Sequence, residues 1–501
     1  EIIVEARTTE LQETNAQLRR SNRDLESSRE EALSMARARS SFLASMSHEI
    51  RTPINGLLGM IGLTLDSPLN NEQRQQLTIA YDSGKVLVEL LNDILDLSKF
   101  EAGKLQLEQI PFDLGALLED TASLLSQNAG KREVELTCRI DPLVPGLVTG
   151  DPTRIRQIVS NLLSNALKFT EQGHVHLRLD IEPTLLGGHQ ARITVRDTGI
   201  GIPQDALRSI ISRRFGGTGL GLALCKSMTD AMDGKLEVES RYGEGSTFTV
   251  TLPIAFHQHE PNYTYPRPCR VAIWSRTGRL QGQVLLELLR HWKIDCQLHE
   301  YANDDLPGDG LADADLWLLD SAELARRVAR DQPGLPRLLV CPYAEQLPAD
   351  IAREVGICEQ VASPPPRVRL ARAIDSCMGL VDQAPEAGAN EAGPTGQRIL
   401  LVEDNSVNQL VARGMLTRLG YEVEIAEQGE AALARLEREE FDLVLMDCNM
   451  PVMDGYETSR RMRADPRWQT IPIIALTANA LHEDRQRCEE AGMNDYLAKP
   501  F

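Results

Sequence analysis

Three groups of residues have the types and spacing to handle a phosphoryl group. The first is Ser47-His48-Glu49-Ile50-Arg51-Thr52-Pro53. A histidine is a nucleophile when its ring nitrogen is neutral, and an ordinary pKa of about 6.5 keeps much of it neutral at pH 7. Glu49 stands beside it, placed to orient or deprotonate the other ring nitrogen. Pro53 removes a backbone donor and kinks a helix, giving a hinge through which an upstream signal can change the exposure of His48. A helix-surface histidine without chemistry is the plain alternative, and the rest of the chain decides against it.

The second group is a set of carboxylates. Glu403 and Asp404 follow the apolar run Ile399-Leu-Leu-Val402, and Asp447 ends Leu443-Val-Leu-Met446. In a parallel doubly wound sheet, ligands bind at the carboxyl ends of strands. Three carboxylates converging there call for Mg²⁺. Asp447 is then the nucleophile toward a phosphoryl donor, with the metal neutralising developing charge. Thr477 closes a further strand and Lys499 precedes Pro500, and both are suited to hold the new phosphate. The bland reading is an acidic cluster with no chemistry.

The third group has four pieces. Asn161 and Asn165 lie four apart on one helix face, with Lys168 close by. Amide oxygen is a hard donor suited to Mg²⁺, and lysine suits phosphate. Asp197-Thr198-Gly199-Ile200-Gly201 follows a strand, where a carboxylate can accept from an exocyclic amine and glycines let backbone approach a base. Gly216-Gly217-Thr218-Gly219-Leu220-Gly221-Leu222 opens a helix and presents N–H groups to phosphate. Gly243-Glu-Gly-Ser-Thr247 is a turn into a strand. Glycine-rich loops are common, so each piece alone is weak. The order of all four is the signal.

The elements that must position these residues follow from pattern and composition. At 501 residues the chain is long enough for several domains. A net charge of −20 argues against direct nucleic-acid binding. Nine cysteines without a Cys-x-x-Cys pair point to a reducing compartment and exclude a disulfide framework or zinc site. Neither a run of about 18 apolar residues nor a signal peptide is present.

Residues 1–40 carry Leu11, Leu18, Leu25 and Ala32 every seven positions, with Asn15 and Asn22 at the alternate core positions. This predicts a parallel dimeric coiled coil whose asparagines fix register; a single solvated helix is the alternative. Residues 41–108 read as a helical hairpin whose wide apolar stripe is best buried by dimerisation into a four-helix bundle. Residues 109–255 switch to mixed α and β. A proline-marked linker is expected from Pro253 or 256 to 268. Residues 269–380 and 398–501 look like two copies of one parallel α/β unit, joined by a flexible linker over 381–397. The first copy lacks most of the acidic chemistry. Ser275 and Arg276 stand in the places of Glu403 and Asp404, Cys341-Pro342 in those of Leu476-Thr477, and Ser363-Pro364 in those of Lys499-Pro500. Asp320 survives with little to activate it, so this copy is expected to serve contacts or spacing, a divergent active copy being the rival reading. The chain starts in the middle of a polar helix and stops where a helix is still to come, as a fragment of a longer protein would.

Asn-x-x-x-Asn, Asp-x-Gly-x-Gly and Gly-Gly-Thr-Gly-Leu-Gly-Leu, following Ser-His-Glu-Ile-Arg-Thr-Pro, resemble the histidine kinases and their Bergerat-fold ATP-binding domain over residues 41–255. Met446-Asp447-Cys-Asn449-Met-Pro451-Val-Met-Asp454-Gly455 resembles the receiver domain of response regulators. The whole chain is similar to the cytoplasmic portion of a bacterial hybrid sensor histidine kinase of the inner membrane. The resemblance implies a multidomain fold: coiled coil, dimeric four-helix bundle, α/β-sandwich ATP domain and two flavodoxin-like (βα)5 receiver-type domains, the first degenerate and the second truncated at its C-terminus. It implies that Asp197 contacts adenine, that Asn165 holds Mg²⁺, and that Asn161 and Lys168 line the phosphates of ATP. Thr52 would position water for dephosphorylating a partner, the Asn449 carbonyl would complete the receiver metal site, and Tyr496 matches the switch aromatic. Phosphoryl flow would run from ATP to His48 to Asp447. Expected partners are a second copy of the chain, a histidine phosphotransfer protein or downstream response regulator, and another sensor kinase. One departure stands out: only residues 202–215 separate Gly201 from Gly216, where the family has a longer lid. The rival reading is therefore a kinase-deficient regulator that binds or dephosphorylates another sensor kinase. An ATPase of the gyrase or chaperone type is disfavoured by His48 and Asp447.

Overall fold

The computed structural model describes residues 17, 19, 21, 50, 53–54, 56–62, 64–65, 67–101, 107–129, 134–142, 144, 146–184, 187–207, 220–258, 265, 268–302, 314–331, 334–379, 396–477 and 487–498. The coiled coil expected over 1–40 falls outside them almost entirely. The chain divides into two compact units, residues 105–386 and the remainder. Among the described residues, no helix is long and apolar enough to cross a membrane.

In the N-terminal hairpin, described residues between 53 and 65 are helical, and helix α1 spans Asn71–Glu101. Asn70 and Gln73 cap α1 reciprocally. The Asn70 side chain accepts from the Gln73 N–H at 2.8 Å, and the Gln73 side chain accepts from the Asn70 N–H at 3.2 Å. Ile79, Val86, Leu87 and Ile94 of α1 and Leu57 and Met60 of the preceding helix remain exposed in the single chain.

The segment that follows forms a seven-stranded sheet covered on one face by helices. The strands are β1 (Ile110–Phe112), β2 (Val134–Ile140), β3 (Leu147–Gly150), β4 (Gly173–Pro183), β5 (His189–Asp197), β6 (Lys235–Arg241) and β7 (Gly245–Gln258). The helices are α2 (Leu114–Ala129), α3 (Pro152–Phe169), the short α4 (Gln204–Leu207) and α5 (Leu220–Ala231). Strand order is β1-β3-β7-β5-β4-β2, with β6 also on β7. Leu114, Leu118, Ile158, Leu162 and Leu163 of the helices bury against Val175, Leu177, Ile193 and Val250 of the sheet. Strand β7 runs through Pro253 to Gln258, past the point where a linker is expected. It continues because β3 pairs with its far end, Leu147 facing Gln258.

Two five-stranded parallel sheets follow, with the same order 2-1-3-4-5. The first has β8 (Arg270–Arg276), β9 (Asp295–Tyr301), β10 (Leu316–Leu319), β11 (Arg337–Cys341) and β12 (Ile357–Ala362), with α6 (Gln281–His291), α7 (Ala322–Asp331), α8 (Ala349–Glu354) and α9 (Arg367–Cys377). The second has β13 (Arg398–Val402), β14 (Glu422–Ala426), β15 (Leu443–Asp447), β16 (Ile473–Thr477) and β17 (Asp495–Ala498), with α10 (Ser406–Arg418), α11 (Gly429–Leu436) and α12 (Gly455–Ala464).

The first of these sheets is tied to the seven-stranded domain by charge. Both carboxylate oxygens of Glu135 on β2 accept from the opening of α6, from Leu280 N and Gln281 N at 3.0 Å each. Arg139 pairs with Glu287 at 2.5 Å. Arg367, the first residue of α9, donates to the buried Glu119 at 2.6 Å.

Candidate functional site

The nucleotide-site residues assemble at one end of α3. Asp151 caps this helix by accepting from Arg154 N at 2.9 Å, and Pro152 starts it. Ile155, Ile158, Val159, Leu162, Leu163, Ala166 and Leu167 turn inward. The remaining face carries half-buried Asn161 and Asn165 and exposed Lys168. Gly221, in the first turn of α5, abuts Asn161: a Cβ there would lie 3.3 Å from the amide oxygen. Gly217 and Gly219 lie outside the described residues.

Asp197 ends β5 and is 6% exposed. Its Oδ1 accepts from Gly199 N at 2.9 Å and Ser246 N at 3.2 Å. Burial pushes its pKa up, and those two N–H donors pull it back down. The turn after it is held on every side. Ile200 N donates to the Phe169 carbonyl at 3.2 Å, and Gly243 N donates to the Ile200 carbonyl at 2.8 Å. Gly199 is required there because a Cβ would meet the Phe169 carbonyl oxygen at 2.3 Å. Gly201 adopts φ +65°, which favours glycine. Thr247 is half-buried on β7 opposite Arg196. Ser246, one residue earlier, makes the contact with Asp197. The sequence reading missed Ser246, and the signal available was its place in the turn that Thr247 closes. Ser240 was missed too: its hydroxyl accepts from Ile202 N and donates to the Gly245 carbonyl.

The second five-stranded sheet brings its acids together at the carboxyl ends of its strands. Glu403 (1% exposed), Asp404 and Asp447 each place an oxygen within 4.8 Å of the others. Such a set of hard oxygen donors fits Mg²⁺. Glu403 Oε1 accepts from Asn408 Nδ2 at 2.7 Å, and its carbonyl accepts from Gln409 Nε2 at 2.7 Å. Asp447 Oδ1 accepts from Asn449 N at 3.2 Å. Thr477 is buried at the end of β16, where it faces Ala498 in β17. Tyr496, on β17, is half-buried. Lys499 follows β17 but lies outside the described residues, as do His48, Glu49 and Thr52.

In the first five-stranded sheet the corresponding aspartate is occupied by its own domain. Asp320 Oδ1 accepts from the Tyr301 hydroxyl at 2.6 Å. Its Oδ2 accepts from Arg276 N at 2.7 Å and the Ser275 hydroxyl at 3.2 Å. Arg279 approaches Oδ2 at 3.8 Å.

The comparisons with known proteins agree in order. Residues 38–103 match the His Kinase A (phospho-acceptor) domain. Residues 150–255 match the histidine kinase-, DNA gyrase B-, and HSP90-like ATPase family, and 399–501 match the response regulator receiver domain. The chain is 35% identical to the sensor protein GacS of Pseudomonas syringae pv. syringae, over 96% of this chain and 56% of that protein. It is 32% identical to the signal transduction histidine-protein kinase BarA of Escherichia coli K12, over 99% of this chain and 56% of that protein. It thus spans about half the length of these curated relatives. The crystal structure of full-length ShkA in complex with AMPPNP matches with a TM-score of 0.57 at 31% identity, covering 92% of this chain and 96% of that one. With phosphoacceptor, ATPase and receiver matches in one chain and relatives alike over nearly its whole length, the protein belongs to the hybrid sensor histidine kinases.

Proposed function

We propose that this chain takes the γ-phosphoryl of ATP onto His48 and passes it to Asp447. ATP sits between α3 and the Asp197 turn. Asp197 accepts from the adenine amine, Asn161 and Lys168 face the phosphates, and Asn165 offers an oxygen to Mg²⁺; Gly217, Gly219, Gly221 and Thr247 complete the cradle. A His48 ring nitrogen forms the N–P bond as the bond to the leaving ADP oxygen breaks, with Glu49 taking up the ring proton. A carboxylate oxygen of Asp447 then forms the O–P bond as the N–P bond breaks, and Glu49 gives the proton back to the ring, returning His48 to a neutral imidazole. Mg²⁺, when bound by Glu403, Asp404, Asp447 and the Asn449 carbonyl, neutralises charge on the phosphoryl oxygens. Thr477 and Lys499 bind the transferred phosphate. Catalysis is mostly positioning and charge neutralisation. The observation that carries the reading is the convergence of Glu403, Asp404 and Asp447 in a chain that also buries Asp197 in a nucleotide-type turn.

The exposed apolar positions along the hairpin, Leu57, Met60, Ile79, Val86, Leu87 and Ile94, support dimerisation into a four-helix bundle. The first five-stranded unit is a degenerate receiver. Onward transfer goes to a histidine phosphotransfer protein or a response regulator, and Thr52 positions water in the reverse, phosphatase direction. In this reading the chain, which spans about half the length of its curated relatives, is the cytoplasmic part of an inner-membrane sensor. Incubation of the purified dimer with radiolabelled ATP tests the central claim. Wild type takes up label, His48→Gln takes up none, and Asp447→Asn retains label on His48. A wild-type chain that takes up no label sinks the kinase reading in favour of a regulator acting on another sensor kinase.

A further inference from the structure

Asn405, Asn408 and Gln409 lie at the opening of α10 beside Glu403, and Asn408 touches its carboxylate through a side-chain donor that the helix does not need. Asn405 caps α10: its Oδ1 accepts from the Asn408 N–H at 3.2 Å. Gln409 holds the Glu403 carbonyl. The Asn408 amide group, left over from capping, reaches back five residues and donates to Glu403 Oε1 at 2.7 Å. A carboxylate that is 1% exposed needs hydrogen-bond partners. A neutral amide supplies one without cancelling the negative charge. An arginine or lysine there would compete with a cation for the same carboxylate.

The chain contains its own comparison. In the first five-stranded unit, Ser275 stands at the place of Glu403, and the residue five positions later is Leu280. Gln281, at the place of Gln409, is retained and buried. Where the carboxylate is gone the amide is gone, while its neighbour, which serves the fold, persists.

We infer that Asn408 is a positioning residue, which holds the Glu403 carboxylate in the orientation from which it shares a divalent cation with Asp404 and Asp447. The inference rests on the reading of 398–501 as a Mg²⁺-dependent phosphoacceptor. Asn408 touches no phosphoryl group itself; it acts through Glu403.

Calorimetric titration of the purified, nucleotide-free chain with Mg²⁺ tests it. Asn408→Ala keeps its backbone N–H, and so the cap, and is expected to bind Mg²⁺ on the order of tenfold more weakly than wild type. Its maximal rate of Asp447 phosphorylation by acetyl phosphate at saturating Mg²⁺ stays near wild type, and the Mg²⁺ concentration for half-maximal rate rises. In a Glu403→Gln background, Asn408→Ala is expected to weaken Mg²⁺ no further. Wild-type affinity in Asn408→Ala, or the same tenfold loss in both backgrounds, overturns the positioning role and leaves the metal site standing. Failure of the wild-type chain to bind Mg²⁺, with Asp447→Asn giving an identical titration, overturns the metal site and the positioning role together.

Discussion

Asp197→Asn separates the proposed role in base recognition from a role in holding the turn. In the structure Oδ1 accepts from Gly199 N and Ser246 N, at 2.9 and 3.2 Å. These two donors dictate how an asparagine would sit. Its oxygen must face them, because the reverse orientation sets an amide NH₂ against two N–H groups. The NH₂ is therefore forced outward, to where the other carboxylate oxygen is proposed to accept from the adenine amine. A donor then faces a donor, and the cost is a lost hydrogen bond plus an unmatched polar group, about 2–3 kcal/mol. That corresponds to roughly a 30- to 150-fold weaker Kd for ATP. The turn itself should survive. Burial raises the pKa of Asp197, so an ionised side chain is disfavoured there and a neutral amide escapes that penalty. Calorimetry with ATP and a thermal melt of the same sample read both quantities. ATP affinity within threefold of wild type, with an unchanged melt, refutes the contact between Asp197 and the base.

Two other consequences follow from groups away from that site. Glu119 is held by Arg367, yet burial dominates and raises its pKa from 4.5 to about 7. Below pH 4.5 the folded and unfolded chains are both protonated at this residue, and as pH rises to about 7 only the unfolded chain ionises. Stability is thus lost with rising pH, by about 3 kcal/mol at roughly 1.4 kcal/mol per unit, levelling off above pH 7. Glu119→Gln should remove that slope from urea melts of the 105–386 unit between pH 4.5 and 7, and parallel slopes for the two proteins would contradict it. Asp320, with both oxygens engaged by Tyr301, Arg276 and Ser275, should take no label from acetyl phosphate when Asp447 is replaced by Asn. Mass spectrometry of a phosphorylated Asp320 peptide would overturn that view.

The parts of the site legible in sequence were those built by local pattern. The α3 face that presents Asn161 and Asn165 follows from the 3.6-residue spacing of its buried partners, Ile155 through Leu167. Glu403 and Asp447 were found because each directly follows or ends a short apolar run, as buried parallel strands do. What escaped is what depends on long-range pairing. β1 and β3 are three and four residues long and are defined by each other and by β7. Pro253 marks a linker by local rules, yet it lies inside β7, opposite Gln190, because the strand is bound on both sides beyond it. The contact between Glu119 and Arg367 spans 248 residues of sequence, and nothing in either local segment announces it. Asn408 was overlooked because an asparagine in the first turn of a helix has an ordinary explanation as part of a cap; only the direction of its side chain reveals the second role.

The two five-stranded units differ at the opening of the helix that follows their first strand. In the second unit the opening of α10 is capped from within, by Asn405 on Asn408 N, and the adjoining side chains are turned on Glu403. In the first unit the matching amides, Leu280 N and Gln281 N, are bound by Glu135 of the neighbouring domain. The end of the helix that borders the acidic cluster in one copy is thus a docking point in the other. Asp320 is engaged at the positions where the metal acids would be, by the Ser275 hydroxyl and by the backbone N–H of Arg276. Restoring acids at 275 and 276 alone would therefore not restore a phosphoacceptor. It would bring two new carboxylates up against Asp320 while Glu135 still occupied the helix opening, and like charges at that spacing without a cation are mutually destabilising.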